Sequence, residues 1–250
     1  MDARQALGIA LLYGADRTAH TQRLKEAQDL LGAAERQRRS EEKHDPQFLM
    51  REFQFCELLL GCAERAAWRL MLGLGPLPSE QTSRRLKQAG KVAKQARALA
   101  EPTIQSGARR GLNELSLGRT QFYEAVLNGG KPDASENKIN DAVNLLRGAG
   151  RQDHAPRALL SHAWLRFAKG DADGSRADLD EAWQIAERGS MRLHMADIHL
   201  YRARLFRGVK PYPWKCPKHD LVEARKLIDE CGYHRRDGEL TDAEEAAKGW

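Results

Sequence analysis

"LLSHAWLRFAKGDADGSRADLDEAWQIAERG", residues 159–189, contains two helical patterns separated by a glycine. In the first pattern a small residue, Ala163, lies midway along the helix. The second pattern places small, large and small side chains at helical spacing, as Ser175, Leu179 and Ala182. Small residues are needed where two helices cross closely, and a larger side chain fills the space beside the crossing. The segment therefore predicts an antiparallel pair of helices.

The same small–large–small pattern recurs along the chain. It is found at Ala142, Leu146 and Ala149, at Ala224, Ile228 and Cys231, and earlier at Ala27, Leu31 and Ala34. In the first helices of the pairs, the crossing positions are Gly118, Ala163 and Ala196. Ala163 and Ala196 are 33 residues apart, as are Ala142 and Ser175. A repeated spacing of about this length is typical of helical repeat proteins.

The composition favours helix throughout the 250 residues. Ala, Leu, Arg, Glu and Lys dominate, and no stretch of five residues alternates β-branched with polar side chains. We therefore expect an all-α fold in a single domain, 1–250, with divergent repeats over 1–130, clearer repeats over 104–232 and a C-terminal capping helix at 237–248. Periodicity and helix breakers predict helices near 3–14, 18–38, 47–73, 81–101, 104–128, 135–149, 155–169, 175–188, 190–207, 219–231 and 237–248.

These spacings resemble the tetratricopeptide repeat (TPR), a helix-turn-helix unit of about 34 residues. "LGRTQFYEA" at 117–125 and "AKGDADGSRADLDEAW" at 168–183 carry the resemblance best. It implies a TPR-like right-handed superhelical solenoid of antiparallel helix pairs, with a concave surface lined by the first helix of each pair. Longer segments separate Gly118 from Ala142 and Ala196 from Ala224, so the number of repeats stays open.

A narrower resemblance extends from about residue 47 to the C-terminus. "LHMADIHLYRARLF", "YPW" and "DLVEARKLIDECGYHRRDGELTDAEEAAK" are similar to the repeat-rich tail of certain bacterial signalling and defence proteins. In those proteins the tail follows NTPase (NACHT-like) or TIR modules, and neither a nucleotide-binding loop nor a TIR signature is present in this sequence. The resemblance implies a bacterial signalling module, or a fragment or subunit of a larger defence NTPase.

The net charge of +6 is a mild excess, but the basic residues are unevenly distributed. "RRLKQAGKVAKQAR" at 84–97 contains no acid, and Arg84, Lys87, Lys91 and Lys94 form one stripe of the predicted helix. This stripe is either a ridge that binds nucleic-acid phosphates or the solvated face of an amphipathic helix. Because no aromatic residue is interleaved to stack on bases, we do not expect nucleic acid as the main partner.

Two Cys-x-x-His pairs near the C-terminus invite comparison with a zinc site. Cys216 and His219 form the first pair, and Cys231 and His234 form the second. A structural zinc needs four ligands at about 2.0–2.3 Å from one point. The predicted helix between the pairs, with Asp220 as its N-cap, holds them roughly 18 Å apart. We therefore expect no metal and no other cofactor, and we interpret Cys231 as a small buried residue at a helix crossing.

Other polar residues at helical spacing are interpreted as surface residues. His194 and His199 are five residues apart and therefore lie on different helix faces, with Asp197 between them. Asp178 and Glu181 are interpreted as part of a solvated face. The sequence contains no G-x-S-x-G, phosphate-binding loop or H-E-x-x-H motif, so we do not expect an enzyme.

The sequence favours a non-catalytic interaction, sensor or scaffold module that binds a protein or peptide in a concave groove. The groove residues expected to bind the partner are Arg119, Phe122, Tyr123, Trp164, Asp197 and Tyr201. For Trp164 and Phe167 the alternative is simple packing between adjacent first helices. We expect no membrane association, because apolar runs such as "LLL" at 58–60 are far too short to span a bilayer. Four irregularly spaced cysteines favour a cytoplasmic protein.

Overall fold

The computed structural model describes residues 47–75, 79–99, 107–150 and 152–250, together with Glu26, Asp29 and Leu30. The described ranges from residue 47 onward contain nine α-helices, two short 3-10 turns and no strand, which confirms the all-α class. The helices are α1 Gln47–Met71, α2 Ser79–Leu99, α3 Gly107–Leu127, α4 Asp133–Gly148, α5 Ala155–Ala168, α6 Ala172–Arg188, α7 Arg192–Phe206, α8 Pro217–Cys231 and α9 Asp237–Ala246. The 3-10 turns are His234–Arg236 and Ala247–Gly249. The predicted helices at 3–14 and 18–38 lie outside the described residues, apart from the three isolated positions.

Consecutive helices pack as pairs, α1 with α2, α3 with α4, α5 with α6 and α7 with α8. Most predicted bounds agree with the structure to within two or three residues. Helix α6 begins three residues before its predicted start because Asp171 caps it, its Oδ1 accepting a hydrogen bond from the Gly174 backbone N–H at 2.8 Å. The prediction that Asp220 caps α8 is wrong, since the Sγ of Cys216 occupies the N-cap instead.

Small residues lie where the helices of a pair cross. A Cβ added at Gly118 would lie 2.7 Å from Cγ1 of Ile139, and one added at Gly111 would lie 2.9 Å from Cγ of Leu146. Both distances are too short for real side chains, so glycine permits the close approach of α3 to α4. The predicted crossing role of Gly118 is therefore confirmed. The second-helix residues Ala142, Ser175, Leu179, Ala182, Ala224 and Ile228 are all fully buried.

Helix α1 lies across the sides of α3, α5 and α7 that face away from their pair partners. Its Trp68 stacks on Trp164 of α5, with ring centroids 3.6 Å apart and an interplanar angle of 16°. The same indole meets Tyr201 of α7 edge-on at 5.0 Å. Arg207 at the end of α7 donates from Nη2 to the carbonyl of Met71 at 2.8 Å. We call the surface of α3, α5 and α7 that contacts α1 the inner face.

The C-terminal segment closes over α1 from the other side. Asp242 of α9 accepts hydrogen bonds from Arg65 of α1 at 2.6 Å and from Arg69 of α1 at 2.5 Å. The predicted C-terminal helix is thus present as α9, and it contacts α1, α7 and α8. In a stack in which each pair meets only its neighbours, α1 would touch neither α7 nor α9. Here the first and last of the nine described helices are joined.

Across the described ranges, no helix combines the length and apolar character needed to cross a lipid bilayer. All four cysteines lie in these ranges, and none forms a disulfide.

Candidate interaction surfaces

The six residues predicted to bind a partner in an open groove are brought together by the structure, but in the interior. Each is at most 3% exposed: Arg119, Phe122, Tyr123, Trp164, Asp197 and Tyr201. The prediction that they stand on an accessible concave surface is therefore wrong. The physical reason is that α1 and the C-terminal turn cover the inner face from which these side chains project.

Arg119 pairs with two buried carboxylates of α1. Its Nη2 lies 3.1 Å from Oε2 of Glu64, and its Nη1 also pairs with Glu57. Its Nε donates to the hydroxyl of Tyr123 at 3.1 Å. Tyr201 donates to Oε1 of Glu64 at 3.2 Å. The polar groups of Arg119 and Tyr201 are thus paired with carboxylates of α1.

Asp197 is held by two cations from separate elements. Arg236, in the 3-10 turn before α9, approaches Oδ1 of Asp197 with its Nε at 2.7 Å. Arg157 of α5 approaches Oδ2 with its Nη2 at 3.4 Å. Arg236 also pairs with Glu64 at 3.3 Å and with Glu239. Asp197 therefore fixes the C-terminal turn against α5 and α7.

Together these groups form one cluster of paired charges. We call it the inner ionic cluster; it comprises the carboxylates of Glu57, Glu64, Asp197 and Glu239 and the guanidinium groups of Arg119, Arg157, Arg204 and Arg236. Every one of these residues is at most 7% exposed. Ions taken out of water persist only when each is paired, and every carboxylate of the cluster has at least one guanidinium partner here.

The pKa values of two carboxylates in this cluster shift in the direction that keeps them ionised. Burial alone would raise the pKa of Asp197, but the charges of Arg236 and Arg157 offset this and hold it well below its usual value. Burial would likewise raise the pKa of Glu239, which Arg236 and Arg204 lower instead. Burial raises the pKa of Tyr123 to about 12, so its hydroxyl stays protonated. Asp197 and Glu239 are thus held ionised, next to a neutral Tyr123 hydroxyl.

The aromatic residues of the prediction pack against one another beside the cluster. Trp164 meets Phe122 at 5.1 Å and Tyr201 at 6.0 Å between ring centroids. Phe167 is partly buried and packs edge-on against Phe206 of α7 at 5.1 Å. These contacts agree with the alternative interpretation of Trp164 and Phe167 as packing residues.

Sequence reasoning missed the inner residues that α1 and the C-terminus contribute. The clearest signal was "FCELLLG" at 55–61, in which Glu57 is embedded in an apolar run. A helix that is apolar on all sides is expected to be buried, so a carboxylate within it requires a cation. Arg235 and Arg236 supply cations to α1 from 3-10 turn positions whose spacing follows no helical repeat.

The basic stripe of α2 lies on the outside of the molecule, where Arg84, Lys87, Lys91 and Lys94 are exposed. The side chain of Arg97 lies outside the described part. Arg84 forms an exposed pair with Glu80, whereas the three lysines form no ion pair within the described ranges. The stripe is thus an exposed helix face, as one of its two interpretations predicts, and its role in binding stays a prediction.

A groove of about 480 Å³ runs beside these lysines between α2 and α3. We call it the outer groove; it is lined by Leu86, Lys87, Gly90, Lys91 and Lys94 of α2 and by Leu117, Thr120, Gln121 and Glu124 of α3. Its floor is narrow at Gly90, where an added Cβ would lie 3.2 Å from Cγ2 of Thr120. The Oε1 atom of Gln121 is buried and accepts no hydrogen bond from the described residues.

A second groove, of about 410 Å³, lies between α4 and α5. Its cations are neutralised by nearby acids: Arg147 pairs with Glu181, and Lys169 pairs with Glu136. Asp178, predicted to be solvated, is buried beside His162 (2.9 Å) and Arg166 (3.3 Å), because α6 carries it onto α5. This groove therefore offers little unbalanced charge to a ligand.

The histidines that were interpreted as surface residues are partly or largely buried. His199 Nδ1 lies 2.6 Å from Oδ1 of Asp220, which links α7 to α8. His194 Nε2 lies 3.2 Å from the carbonyl of Asp153, and because a carbonyl only accepts, this nitrogen donates. Burial, with the nearby charge of Arg157, lowers the pKa of His194 to about 4. The surface interpretation is wrong because α7 is enclosed on all sides from Ala196 onward, and His194 in its first turn is half-buried.

Among the residues that the structure describes, no group of three or more His, Cys, Asp or Glu side chains could hold a metal ion. Cys216 and Cys231 lie at opposite ends of α8, before its first and at its last residue. Cys231 is partly buried rather than fully buried, and it packs against the small apolar cluster of α7, α8 and α9. The cysteine–histidine pairs thus belong to the ends of one helix.

Comparisons of this chain with protein-family models, with curated proteins and with solved structures gave no match.

Proposed function

We propose that this chain is a non-catalytic interaction module that binds an acidic partner protein in the outer groove. The observation that carries the proposal is the row of Lys87, Lys91 and Lys94, which are exposed and form no ion pair in the described part of the chain. Elsewhere Arg119, Arg147, Lys169 and Arg236 each have an acidic partner close by. Unpaired charges beside a groove attract and orient a partner of opposite sign.

The inner face is a poor candidate for the partner site in this conformation. Arg119 and Asp197, two residues expected to bind a partner there, are both about 1% exposed and already paired. A partner would have to displace α1, and with it the stacked Trp68. The proposed binding surface therefore moves from the inside of the array to its outside.

The scaffold is proposed to be a TPR-like right-handed solenoid of divergent repeats that together form one domain. Support comes from the four consecutive helix pairs and from the close glycine crossing at Gly118. The free cysteines fit a reducing, cytoplasmic compartment. The resemblance of residues 47–250 to bacterial signalling tails supports a role as a module, fragment or subunit of a larger defence NTPase.

A titration with a fluorescent poly-glutamate peptide tests the binding proposal. Fluorescence anisotropy should show binding that the triple variant Lys87→Ala/Lys91→Ala/Lys94→Ala weakens by at least about tenfold. The matched control is Lys215→Ala/Lys218→Ala/Lys226→Ala, which removes the same charge from exposed positions at α8. Equal weakening by both triple variants would show that net charge alone drives binding, and the proposal would then fail.

Nucleic-acid binding through the same lysine stripe is the second candidate, because phosphates are also anions. Random-sequence duplex DNA in the same assay distinguishes the two. A DNA affinity above that of the peptide, falling steeply with salt and abolished by the α2 triple variant, would assign the stripe to nucleic acid. We expect weaker DNA binding, since none of the described residues that line the outer groove is aromatic.

A further inference from the structure

The residues that line the two walls of the outer groove recur at the same helical spacing. Lys87, Lys91 and Lys94 follow one another at four and three residues along α2. Leu117, Gln121 and Glu124 do so along α3. On a helix these steps correspond to rises of about 6 and 4.5 Å. A third helix lying along the groove would present its own i, i+4 and i+7 residues at matching heights.

The groove also has a direction. Only seven residues, 100–106, join α2 to α3, too few to return to the start of a helix as long as α2, so the two helices run antiparallel. Gly90 meets Thr120 near the middle of the groove. Lys87 therefore lies towards Glu124, and Lys94 lies towards Leu117. One end of the groove combines a cation with an anion, and the other combines a cation with an apolar side chain.

The α3 wall carries an acidic group that a phosphate backbone cannot pair with. Glu124 is exposed and forms no ion pair with the described residues. A nucleic-acid phosphate chain supplies no cation there. A polypeptide can supply a lysine or arginine, glutamates and an aliphatic side chain on one face.

On the basis of the proposed function, we infer that the outer groove binds an amphipathic helix of the partner protein in one fixed orientation. The helix presents three acidic residues at i, i+4 and i+7 to Lys87, Lys91 and Lys94. A basic residue of the helix lies against Glu124, and an aliphatic residue packs at the Leu117 end. Charge complementarity on both walls selects the helix and sets its direction.

A synthetic alanine-based helical peptide with this arrangement of glutamates, one leucine and one terminal lysine serves as the probe. Its control is an isomer of the same composition with the glutamates distributed over all faces. Isothermal titration calorimetry should show the striped peptide binding at least about fivefold more tightly than the isomer. Lys91→Glu should weaken the striped peptide by at least about tenfold, whereas Lys226→Glu on α8 should leave its affinity unchanged.

The orientation is tested by exchanging charges between protein and peptide. Glu124→Lys should weaken the striped peptide by about three- to tenfold, and replacing the terminal lysine of the peptide by glutamate should restore the affinity. Circular dichroism checks that each variant keeps its helix content, as expected for exposed positions.

The outcomes separate this inference from the function on which it rests. If both peptides bind equally and the charge exchange gives no rescue, the oriented helix is overturned, while a loss with Lys91→Glu still supports an acidic partner. If no acidic peptide binds in a Lys91-dependent manner, both are overturned. If duplex DNA binds more tightly than the striped peptide, the groove belongs to nucleic acid and the inference fails.

Discussion

The inner ionic cluster and the outer groove use the same kinds of side chain in opposite ways. In the cluster, Arg119 and Arg236 are each about 1% exposed, and carboxylates on α1, α7 and α9 pair with them. In the groove, Lys87, Lys91 and Lys94 are exposed and have no acidic partner among the described residues. The formal charge of a residue therefore does not show whether that charge is available to a partner. Pairing within the fold decides it.

Replacing Arg119 by alanine should have the largest effect on stability, because it removes a buried cation from the inner ionic cluster. The substitution leaves buried Glu57 and Glu64 with one cation fewer, and we expect it to lower the free energy of unfolding by about 3–5 kcal/mol. Urea denaturation followed by circular dichroism measures the loss. Lys91→Ala in the outer groove is the control, and an equal loss in both variants would remove the distinction between the two regions.

Acidification tests whether the stability of the fold depends on the neutral imidazole of His194, which lies near Arg157 of the inner ionic cluster. His194 has its pKa lowered from 6.5 to about 4 in the fold, so the unfolded chain binds a proton more readily than the folded chain. Stability should therefore fall as the pH drops below about 6.5, by about 2–3 kcal/mol when pH 4 is reached. Urea denaturation across this range measures the slope.

His194→Gln should flatten the loss between pH 6.5 and 4, because glutamine does not titrate there. The pKa of Asp197 is shifted in the same direction as that of His194, but from a lower starting value. Its lowered pKa stabilises the fold above its ordinary value of 3.8, and that stability is lost only at more acid pH. An unchanged slope in the histidine variant would assign the acid sensitivity to other groups.

Gly118→Ala tests how much the close packing of α3 against α4 contributes to stability, in addition to the ion pairs. The added methyl group would lie 2.7 Å from Cγ1 and 3.2 Å from the backbone N of Ile139, so α3 and α4 must separate. We expect a loss of about 1–3 kcal/mol in thermal or urea unfolding. The matched control is Gly148→Ala at the end of α4, where nothing lies within 4 Å and a gain of about 0.5–1 kcal/mol is expected.

The smallest effect should have the opposite sign. Lys91 has Lys87 and Lys94 on adjacent turns of α2, and like charges at these spacings repel. Lys91→Ala should therefore stabilise the fold by about 0.2–0.5 kcal/mol, and less so in high salt. Lys169→Ala, which removes a lysine paired with Glu136 and Asp133, should show no such gain. A loss of stability on removing Lys91 would mean that the stripe has an intramolecular partner.

The helix pairs could be predicted from the sequence because their signals are local. Ser175, Leu179 and Ala182 are close in sequence and recur at helical spacing, so their shared helix face can be recognised directly. Gly118 marks a helix crossing that the structure confirms. The start of α6 was predicted three residues too late. Asp171 caps the helix, so its first turn begins at Ala172 and includes Gly174. Such errors of a few residues follow from single capping hydrogen bonds.

The state of the inner face could not be predicted in the same way. Periodicity correctly placed Arg119, Tyr123 and Tyr201 on one side of their helices, but it does not show what covers that side. The cover comes from α1 and from Arg236, far away in sequence. Long-range pairing of this kind leaves no periodic signal. The exposed lysines of α2 were easier to recognise, since amphipathicity alone places them outside.

The junction of α1 with the C-terminal turn has a consequence for synthesis on the ribosome. Glu57 and Arg235 are separated by 178 residues, so α1 emerges long before the turn that completes its surroundings. At ordinary translation rates this interval is on the order of 10–40 s. During that time the carboxylates of Glu57 and Glu64 lack the cations of the turn, and the apolar side of α1 is without its C-terminal cover. The nascent chain therefore reaches its final packing only after residue 236 has left the exit tunnel, which makes premature termination a source of aggregation-prone fragments.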